Sequence, residues 1–297
     1  MKNSSRGDGG APSAIYATKF LYKLCGSSQP SILMGSDGEF YVVKFHGFPG
    51  HQSLANEVVG SELIRVVGLP APAWVPINIS GEFINSNPHM WFLKSEGPAI
   101  RPLPGLHFAS KIIIADGEQR TYQMIPHSWI NKVENRADFL GILALDLWTN
   151  NCDRRQAIFL CDARNRLHAS FIDNDFMFGG KFGADITCPR RAMVYDLDVY
   201  SDLWKKASVR HWTRIIDGIQ DEVIRRIVFS VPDLWVSGKT RLHILDQLRT
   251  RRLLLPRLLE DAENVARTGH SIQYHRTRNA TQPGQICAAP IISQYSS

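Results

Sequence analysis

The sequence predicts an α+β protein with a strand-rich first part and a mostly helical second part. Short apolar runs separated by Gly, Pro, Ser and Asp turns fill the first part, as is typical of strands. The second part contains longer segments whose apolar residues recur at helical spacing. A Pro/Gly-rich stretch at residues 98–105 is the best candidate for the boundary between them. With 297 residues, the chain can form one large domain or two smaller ones.

The first part is expected to contain one helix among its strands. The helix has an apolar stripe and ends at Gly68–Leu69–Pro70, because glycine caps a helix and proline cannot continue it. Residues 80–87 are polar and are interpreted as a turn. Strands are predicted over residues 17–24, 31–34, 40–45, 73–79 and 89–94, and the helix over residues 53–67.

Lys44 lies on a predicted strand whose two faces are both mostly apolar. A desolvated ammonium needs an anion, and Glu57 lies at the edge of the apolar stripe of the following helix. An ion pair between them would hold the lysine against phosphate oxygens. The same pattern also fits a lysine that extends along the surface and a solvated Glu57.

The second part is expected to begin with a central helix over residues 137–149, which is apolar around most of its circumference. Asn135 is the predicted N-cap, and Asp138 is favourable in the first turn. Asp146 lies among apolar residues and is interpreted as a buried structural residue first and a catalytic residue second. Two short strands, 157–160 and 168–172, should then form a hairpin, followed by helices over 197–207, 209–219, 221–229 and 240–265, the last broken before Pro256.

Two aspartates lie next to the predicted hairpin, one before its first strand and one at the end of its second strand. Asp153 lies in the loop between the central helix and the first strand, and Asp173 ends the second strand. Such a pair is what a phosphotransferase needs, because one carboxylate can accept the proton of an attacking hydroxyl and the other can hold Mg²⁺ on nucleotide phosphates. The residues therefore indicate phosphoryl transfer.

Taken in order, these segments resemble the HipA-like kinases, distant relatives of protein kinases and phosphatidylinositol kinases. The resemblance extends over about residues 20–260 and includes Gly26–Ser27–Ser28, Val43–Lys44, Asn56–Glu57, Asn151–Cys152–Asp153–Arg154 and Ile172–Asp173. It implies a two-lobed, protein-kinase-like fold with a β-rich N-lobe and a mostly helical C-lobe. The expected divisions are a disordered lead-in at 1–12, the N-lobe at 13–97, the C-lobe at 98–270 and a disordered tail at 271–297.

The resemblance also implies ATP and Mg²⁺ as cofactors and a role for each matching residue. Asp153 would act as the catalytic base and Asp173 as the metal ligand. The lysine, held by the helix glutamate, would contact the α- and β-phosphates, and backbone N–H groups of the glycine loop would cover them. The predicted nucleotide-binding set is Lys44, Glu57, Gly26, Ser27 and Ser28.

One position departs from the family pattern. Where kinase loops usually carry a metal-binding asparagine, this chain has Ile158, which has no donor oxygen. Gln156 has an amide oxygen and is the predicted substitute, and Asp175 can help if the strand continues past Asp173. The Asp-Arg-Arg-Gln loop resembles that of a subfamily. Arg154 is expected to pair with a loop carboxylate, and a contact with phosphate is the alternative.

Three functions remain open at this point: a kinase with an unknown hydroxyl acceptor, for example Ser or Thr of a protein; a nucleotide-binding pseudokinase without turnover; and a nucleic-acid-binding protein. The net charge of +6 and pI near 9.1 weakly favour an anionic partner, but base-reading motifs are absent, which disfavours nucleic acid. The chain has no membrane-spanning stretch and no signal-peptide pattern. Five cysteines without a C-x-x-C pair predict a reducing cytoplasm.

Overall fold

The computed structural model describes residues 14–26, 28–47, 53–93, 97–113, 119–182, 197–200 and 202–268. The strands of its first part form a closed barrel in the order β1-β2-β3-β5-β4, in which β1 closes the sheet by pairing in parallel with β4. Because the first and last strands of the sheet pair with each other, the sheet has no free edge where they meet. The elements are β1 (Ile15–Lys23), β2 (Ser31–Gly35), β3 (Phe40–Lys44), α1 (Ser53–Val66), β4 (Trp74–Ile79), α2 (Gly81–Ser86) and β5 (Gly105–Lys111).

Alternation along β3 places its side chains as the sequence predicts. Tyr41 and Val43 are buried in the barrel core, and Lys44 faces the other way, toward α1. The register pairs Ser31 of β2 with Val43 of β3, so the loop that precedes β2 lies beside the end of β3. Lys44 and the glycine loop are therefore at the same end of the barrel.

Three expectations for the first part were wrong or incomplete. Residues 80–87 contain the helix α2, because the Ser80 side chain accepts the Phe83 N–H and caps it. Of the strand predicted over residues 89–94, the described residues 89–93 form only an isolated bridge between Phe92 and Ile100, and residue 94 lies outside the described residues. The strand β5 follows the predicted boundary at residue 98 but pairs with β3 and β4, so the barrel extends past that boundary.

In the second part, α3 (Asp138–Thr149) is surrounded by other elements, and its residues from Leu140 onward are buried. The predicted cap was wrong: the N-cap is Ala137, which makes no side-chain cap bond. Asn135 instead bonds the side chain of Asp138 and both main-chain groups of Ala169, so it joins α3 to the hairpin. A second sheet contains β6 (Arg120–Tyr122), β7 (Gln156–Cys161) and β8 (Leu167–Ile172), in that order.

Most of the remaining helices pack on α3, whereas the helix over Asp221–Ser230 packs on α1 and on the last helix. The helix predicted over residues 197–207 is the short α4, followed by a separate α5. The long α7 continues through Pro256, because the buried neighbours Leu255 and Leu258 keep both sides of the proline packed on the core. The bounds are α4 (Leu197–Tyr200), α5 (Lys206–Asp217), α6 (Asp221–Ser230) and α7 (Gly238–Thr268).

Two arginines of α7 are buried and form hydrogen bonds inside the fold. The Arg251 guanidinium is buried and donates to the main-chain oxygens of Leu147 and Trp148, the last carbonyls of α3. Arg241 is also buried and donates to carbonyls at the end of α6. Some of the arginines of the second part therefore have a structural role inside the fold, and their presence does not require that the protein binds a nucleic acid. Among the described residues, the helices lack the long apolar stretch needed to cross a bilayer.

Candidate active site

The ammonium of Lys44 lies among three carboxylates that come from both parts of the chain. Its Nζ atom forms an ion pair with Glu57 of α1 and lies 2.8 Å from Asp173 Oδ1 and 3.1 Å from Asp175 Oδ1. The lysine side chain is only 12% exposed and that of Glu57 only 4%. Lys44 therefore does not extend along the surface, which removes the alternative left open by the sequence.

The cluster has more negative than positive charge. Oxygen atoms of Glu57, Asp173 and Asp175 lie within 4.8 Å of one another. Burial alone would lower the pKa of Lys44, but the carboxylates hold it above its ordinary value. Burial and repulsion from the two aspartates raise the pKa of Glu57 against the opposing attraction of Lys44. A divalent cation would relieve this repulsion, and carboxylate oxygens are the ligands that Mg²⁺ prefers, so these residues fit such an ion.

The loop after β8 holds Asp173 in an unusual conformation. Asp173 has φ of +68°, in the left-handed region, which costs a residue with a side chain about 1 kcal/mol or more. Gln156 Nε2 donates to Asp173 Oδ2 at 2.6 Å. Arg155 NH1 donates at 2.9 Å to the main-chain oxygens of Ile172 and Asp173. Asp173 is thus fixed through both its side chain and its backbone.

Helix α1 reaches the same loop from the other side. Asn56 Nδ2 donates to the main-chain oxygens of Asp175 and Met177, at 2.8 and 3.0 Å. Glu57 accepts the backbone N–H and side-chain amide of Asn174. A Cβ atom added to Gly60 would lie 2.4 Å from Asn174 Cγ, so glycine is required for this close approach. Helix α1 and the loop after β8 are therefore directly hydrogen-bonded to each other.

The loop after α3 carries Asp153. Asn150 is left-handed and ends the helix, and Asn151 Nδ2 then donates to Asp146 Oδ1 at 3.0 Å. The Asp153 N–H donates to Asn151 Oδ1, and Asp153 Oδ1 accepts the Arg154 N–H at 2.7 Å. Asp146 is a structural residue, as expected, because it receives Arg155 in a buried ion pair. The arginine that pairs with this carboxylate is Arg155, to which the sequence assigned no role.

The glycine loop lies between β1 and β2. Gly26 has φ of +138° and its carbonyl accepts the Gln29 N–H at 3.2 Å, which makes a tight turn that includes Ser28. The Gln29 side chain is in turn bonded to Lys23 and to the main chain of Leu93. Ser27, which was also predicted for this loop, lies outside the described residues.

The structure thus brings together Lys44, Glu57, Asp173 and Gln156. Asp175 also joins this cluster, although β8 ends at Ile172 and does not continue past Asp173 as the sequence argument required.

The sequence analysis found fewer of the residues that hold these side chains in place. It gave no role to Arg155, Asn174 and Gly60. Their signals are the second arginine of the Asp-Arg-Arg run, the asparagine between two aspartates, and a glycine inside a helix. Each becomes informative only when its three-dimensional neighbour is known.

Residues 23–253 match the sequence model for HipA-like kinases. The chain belongs to the HipA-like kinase family. The match includes Lys44, Glu57, Asp153 and Asp173, the residues described above. No curated protein shows significant similarity to this member of the family.

Solved structures agree with this assignment at the level of the fold. The chain is similar to a proinflammatory kinase of Helicobacter pylori, CtkA, with 12% identity over 86% of this chain and 98% of that one, and a TM-score of 0.50. It is also similar to a hydra Fam20 protein solved with a sugar, with 11% identity over 86% of both chains and a TM-score of 0.50. This HipA-like chain therefore has an α+β, kinase-like fold.

Proposed function

We propose that this protein is an ATP- and Mg²⁺-dependent kinase that transfers the γ-phosphoryl group to a hydroxyl, for example Ser or Thr of a protein. The observation that supports the proposal is the acidic cluster around Lys44, which contains Glu57 and Asp173, the residues to which the HipA-like resemblance gives the roles of lysine partner and metal ligand. A two-lobed arrangement belongs to the same proposal. Because β5 pairs within the barrel, we place the end of the N-lobe after Lys111 rather than at residue 97.

Asp153 is proposed to orient the acceptor hydroxyl and to take its proton as the hydroxyl attacks. Its position after Asn151, which is anchored on Asp146, supports this role. Positioning of this carboxylate would supply much of the rate enhancement, as it does in phosphoryl transfer generally.

Lys44 is proposed to contact the α- and β-phosphates, with Glu57 holding its side chain in place. In the structure the same ammonium already contacts Asp173 and Asp175, so it lies where the charges of the site converge. Backbone N–H groups of Gly26, Ser27 and Ser28 are proposed to cover the phosphates, since this loop lies beside the end of β3.

Asp173 is the proposed principal ligand of Mg²⁺, with Asp175 and Gln156 in support. When bound, the ion would neutralise charge on the phosphates. Gln156 is within hydrogen-bond distance of Asp173, and the nitrogen and oxygen of an amide exchange places by a flip. Its oxygen can therefore serve in place of the asparagine that Ile158 replaces.

The test is calorimetric titration of a non-hydrolysable ATP analogue, with and without Mg²⁺, into the wild type and Asp173→Asn. We expect Mg²⁺-dependent binding in the wild type and a loss of about 100-fold in the variant, because its charged ligand is gone. Asp202→Asn is the control, since it makes the same chemical change in an exposed ion pair with Arg136. Absence of binding in the wild type would contradict the proposal.

A pseudokinase is the second candidate, and Ile158 is the observation that favours it. Ile158 lies on β7 opposite Ser170 and offers no ligand atom to the cluster. This function predicts that the nucleotide analogue binds but that no acceptor is phosphorylated. Single-turnover assays with γ-labelled ATP and a panel of protein and peptide hydroxyls distinguish the two, because transfer to any acceptor excludes the pseudokinase.

A further inference from the structure

We propose that Arg155 is a positioning residue that sets the backbone of Asp173 for metal binding. The inference rests on the proposed function in one respect, since it requires that Asp173 binds a metal ion. It assigns a role to the residue after the Asp153–Arg154 pair, which no element of the phosphoryl-transfer mechanism above uses.

One edge of the guanidinium holds the metal loop. Arg155 NH1 donates to the carbonyl oxygens of Ile172 and Asp173, each at 2.9 Å. These two carbonyls belong to the peptide planes on either side of the Asp173 Cα, and the orientation of those planes defines its φ and ψ. Because Asp173 is left-handed, the two hydrogen bonds stabilise a conformation that the residue would not otherwise favour.

The other edge of the guanidinium is anchored in the central helix. Arg155 Nε donates to Asp146 Oδ2 at 3.1 Å, and the second nitrogen of the fork, NH2, pairs with Asp146 Oδ1. The arginine side chain is 9% exposed and that of Asp146 is 12% exposed, so water competes little for these bonds. Burial lowers the pKa of Arg155, but the charge of Asp146 more than offsets this effect.

The same guanidinium reaches the glutamate helix through one further residue. NH1 also donates to Asn174 Oδ1 at 2.9 Å, and Asn174 Nδ2 donates to Glu57 Oε2 at 3.3 Å. Asn174 therefore uses both ends of its amide, and hydrogen bonds run without a break from Asp146 in α3 to Glu57 in α1. One hydrogen-bond network therefore positions both Glu57, which pairs with Lys44, and Asp173, the proposed metal ligand.

Lysine cannot replace arginine in this network. An ammonium has three donors on a single atom and can keep the pair with Asp146. It cannot also bond two carbonyls and an amide on the opposite side, because that requires the width of the planar guanidinium. Arg155→Lys thus preserves the charge and removes the positioning.

The experiment is titration of the full chain with Mn²⁺, followed by the electron paramagnetic resonance signal of the free ion, which needs neither acceptor nor turnover. Changes to residues that orient metal ligands typically weaken metal affinity by 10- to 100-fold, and we expect a loss in this range for Arg155→Lys. Arg241→Lys is the matched control. Arg241 is equally buried and donates to two carbonyls, Val228 O and Val231 O, and to Asp233, but it does so at the end of α6. Both variants should lose thermal stability, and only Arg155→Lys should lose Mn²⁺ affinity.

Asn174→Ala provides a second, milder perturbation if Arg155→Lys fails to fold. It should weaken Mn²⁺ binding several-fold. Combined with Arg155→Lys, it should lower the affinity by less than the product of the separate factors, because both changes act on the same loop.

The outcomes separate the two proposals. Mn²⁺ binding by Arg155→Lys and Asn174→Ala that equals the wild type would overturn the positioning role and leave the metal site intact. An equal loss in Arg241→Lys would overturn it as well, since the effect would then be one of general stability. A wild type that binds no Mn²⁺ would instead refute the metal site of the proposed function, and the inference with it.

Discussion

The two aspartates on which the proposed chemistry depends are held in opposite ways. Asp173 is contacted through its side chain by Lys44 and Gln156 and through its backbone by Arg155. Asp153 is placed by its own backbone N–H, which donates to Asn151, and its carboxylate accepts the Arg154 N–H. Within the described part of the chain, the Asp153 carboxylate pairs with no cation, although Asp173 does.

This difference matches what each role requires. A metal ligand works best when its geometry is fixed before the ion arrives, because misplacement by fractions of an ångström weakens coordination. A catalytic base must instead meet a substrate hydroxyl, so a carboxylate kept clear of cations retains its ability to accept the proton. In the proposed mechanism, the fixed geometry of Asp173 suits a metal ligand, and the position of the Asp153 carboxylate suits a base that must meet the acceptor.

The largest effect is expected for Asp153→Asn, which removes the base and leaves the metal loop untouched. Turnover should fall about 1000-fold, within the range that general bases usually contribute, and Mg²⁺-dependent binding of the ATP analogue should be unchanged. Phosphoryl-transfer rates and calorimetry on the same preparation measure the two quantities. Wild-type rates in the variant would refute the role assigned to Asp153.

Protonation of His107 is expected to destabilise the barrel at acidic pH. This limits the pH range over which the functions of Asp153 and Asp173 can be compared. His107 is buried in β5, and its Nδ1 accepts the His46 N–H. Burial lowers the pKa of His107 to about 4. An unfolded histidine takes up a proton near pH 6.5, whereas the folded one does not, so stability is full above pH 6.5 and is lost as the pH falls toward 4.

The expected loss over this interval is about 3 kcal/mol in the free energy of unfolding. Urea denaturation between pH 4 and 7 measures it. His107→Asn is the control, because the amide oxygen can still accept the His46 N–H but does not titrate in this range. An equally steep pH dependence in His107→Asn would show that other groups are responsible.

Gly60→Ala tests how firmly helix α1 holds the loop that carries Asp173. The added methyl group would collide with Asn174, so the loop or α1 must move, at a cost of about 2 kcal/mol in stability. Mn²⁺ affinity should fall together with the melting temperature. Gly81→Ala is the control, since a Cβ there has open space around it. A fully stable Gly60→Ala would mean that the contact between α1 and the loop is loose.

The smallest effect is expected for Gln156→Ala. Gln156 contacts Asp173 from the rim of the cluster, so its loss should weaken Mg²⁺-dependent nucleotide binding about tenfold. Calorimetric titration against the wild type measures the change. Unaltered affinity would show that the chain holds its metal without a substitute for the asparagine that Ile158 replaces.

The sequence predicted the parts of the site that depend on local pattern. Lys44 could be found because it interrupts an apolar strand face, and Asp153 and Asp173 because each follows a recognisable element. The inward position of Arg155 could not be predicted, since adjacent residues in a loop have no periodicity to show which one turns inward. The role of β5 was also hidden, because its partners β3 and β4 are distant in sequence and strand pairing depends on tertiary structure.

The buried Arg251 on α7 has a practical consequence for shortening the chain. Its guanidinium supplies donors to Leu147 and Trp148, whose carbonyls end α3 just before the loop that carries Asp153. A protein truncated before residue 251 would lose the Arg251 donors to both carbonyls, of which Leu147 O would keep only the Asn150 N–H. Every residue proposed to act in the chemistry would still be present. Truncation mapping should therefore find a minimal active fragment that includes Arg251 and extends some distance beyond it.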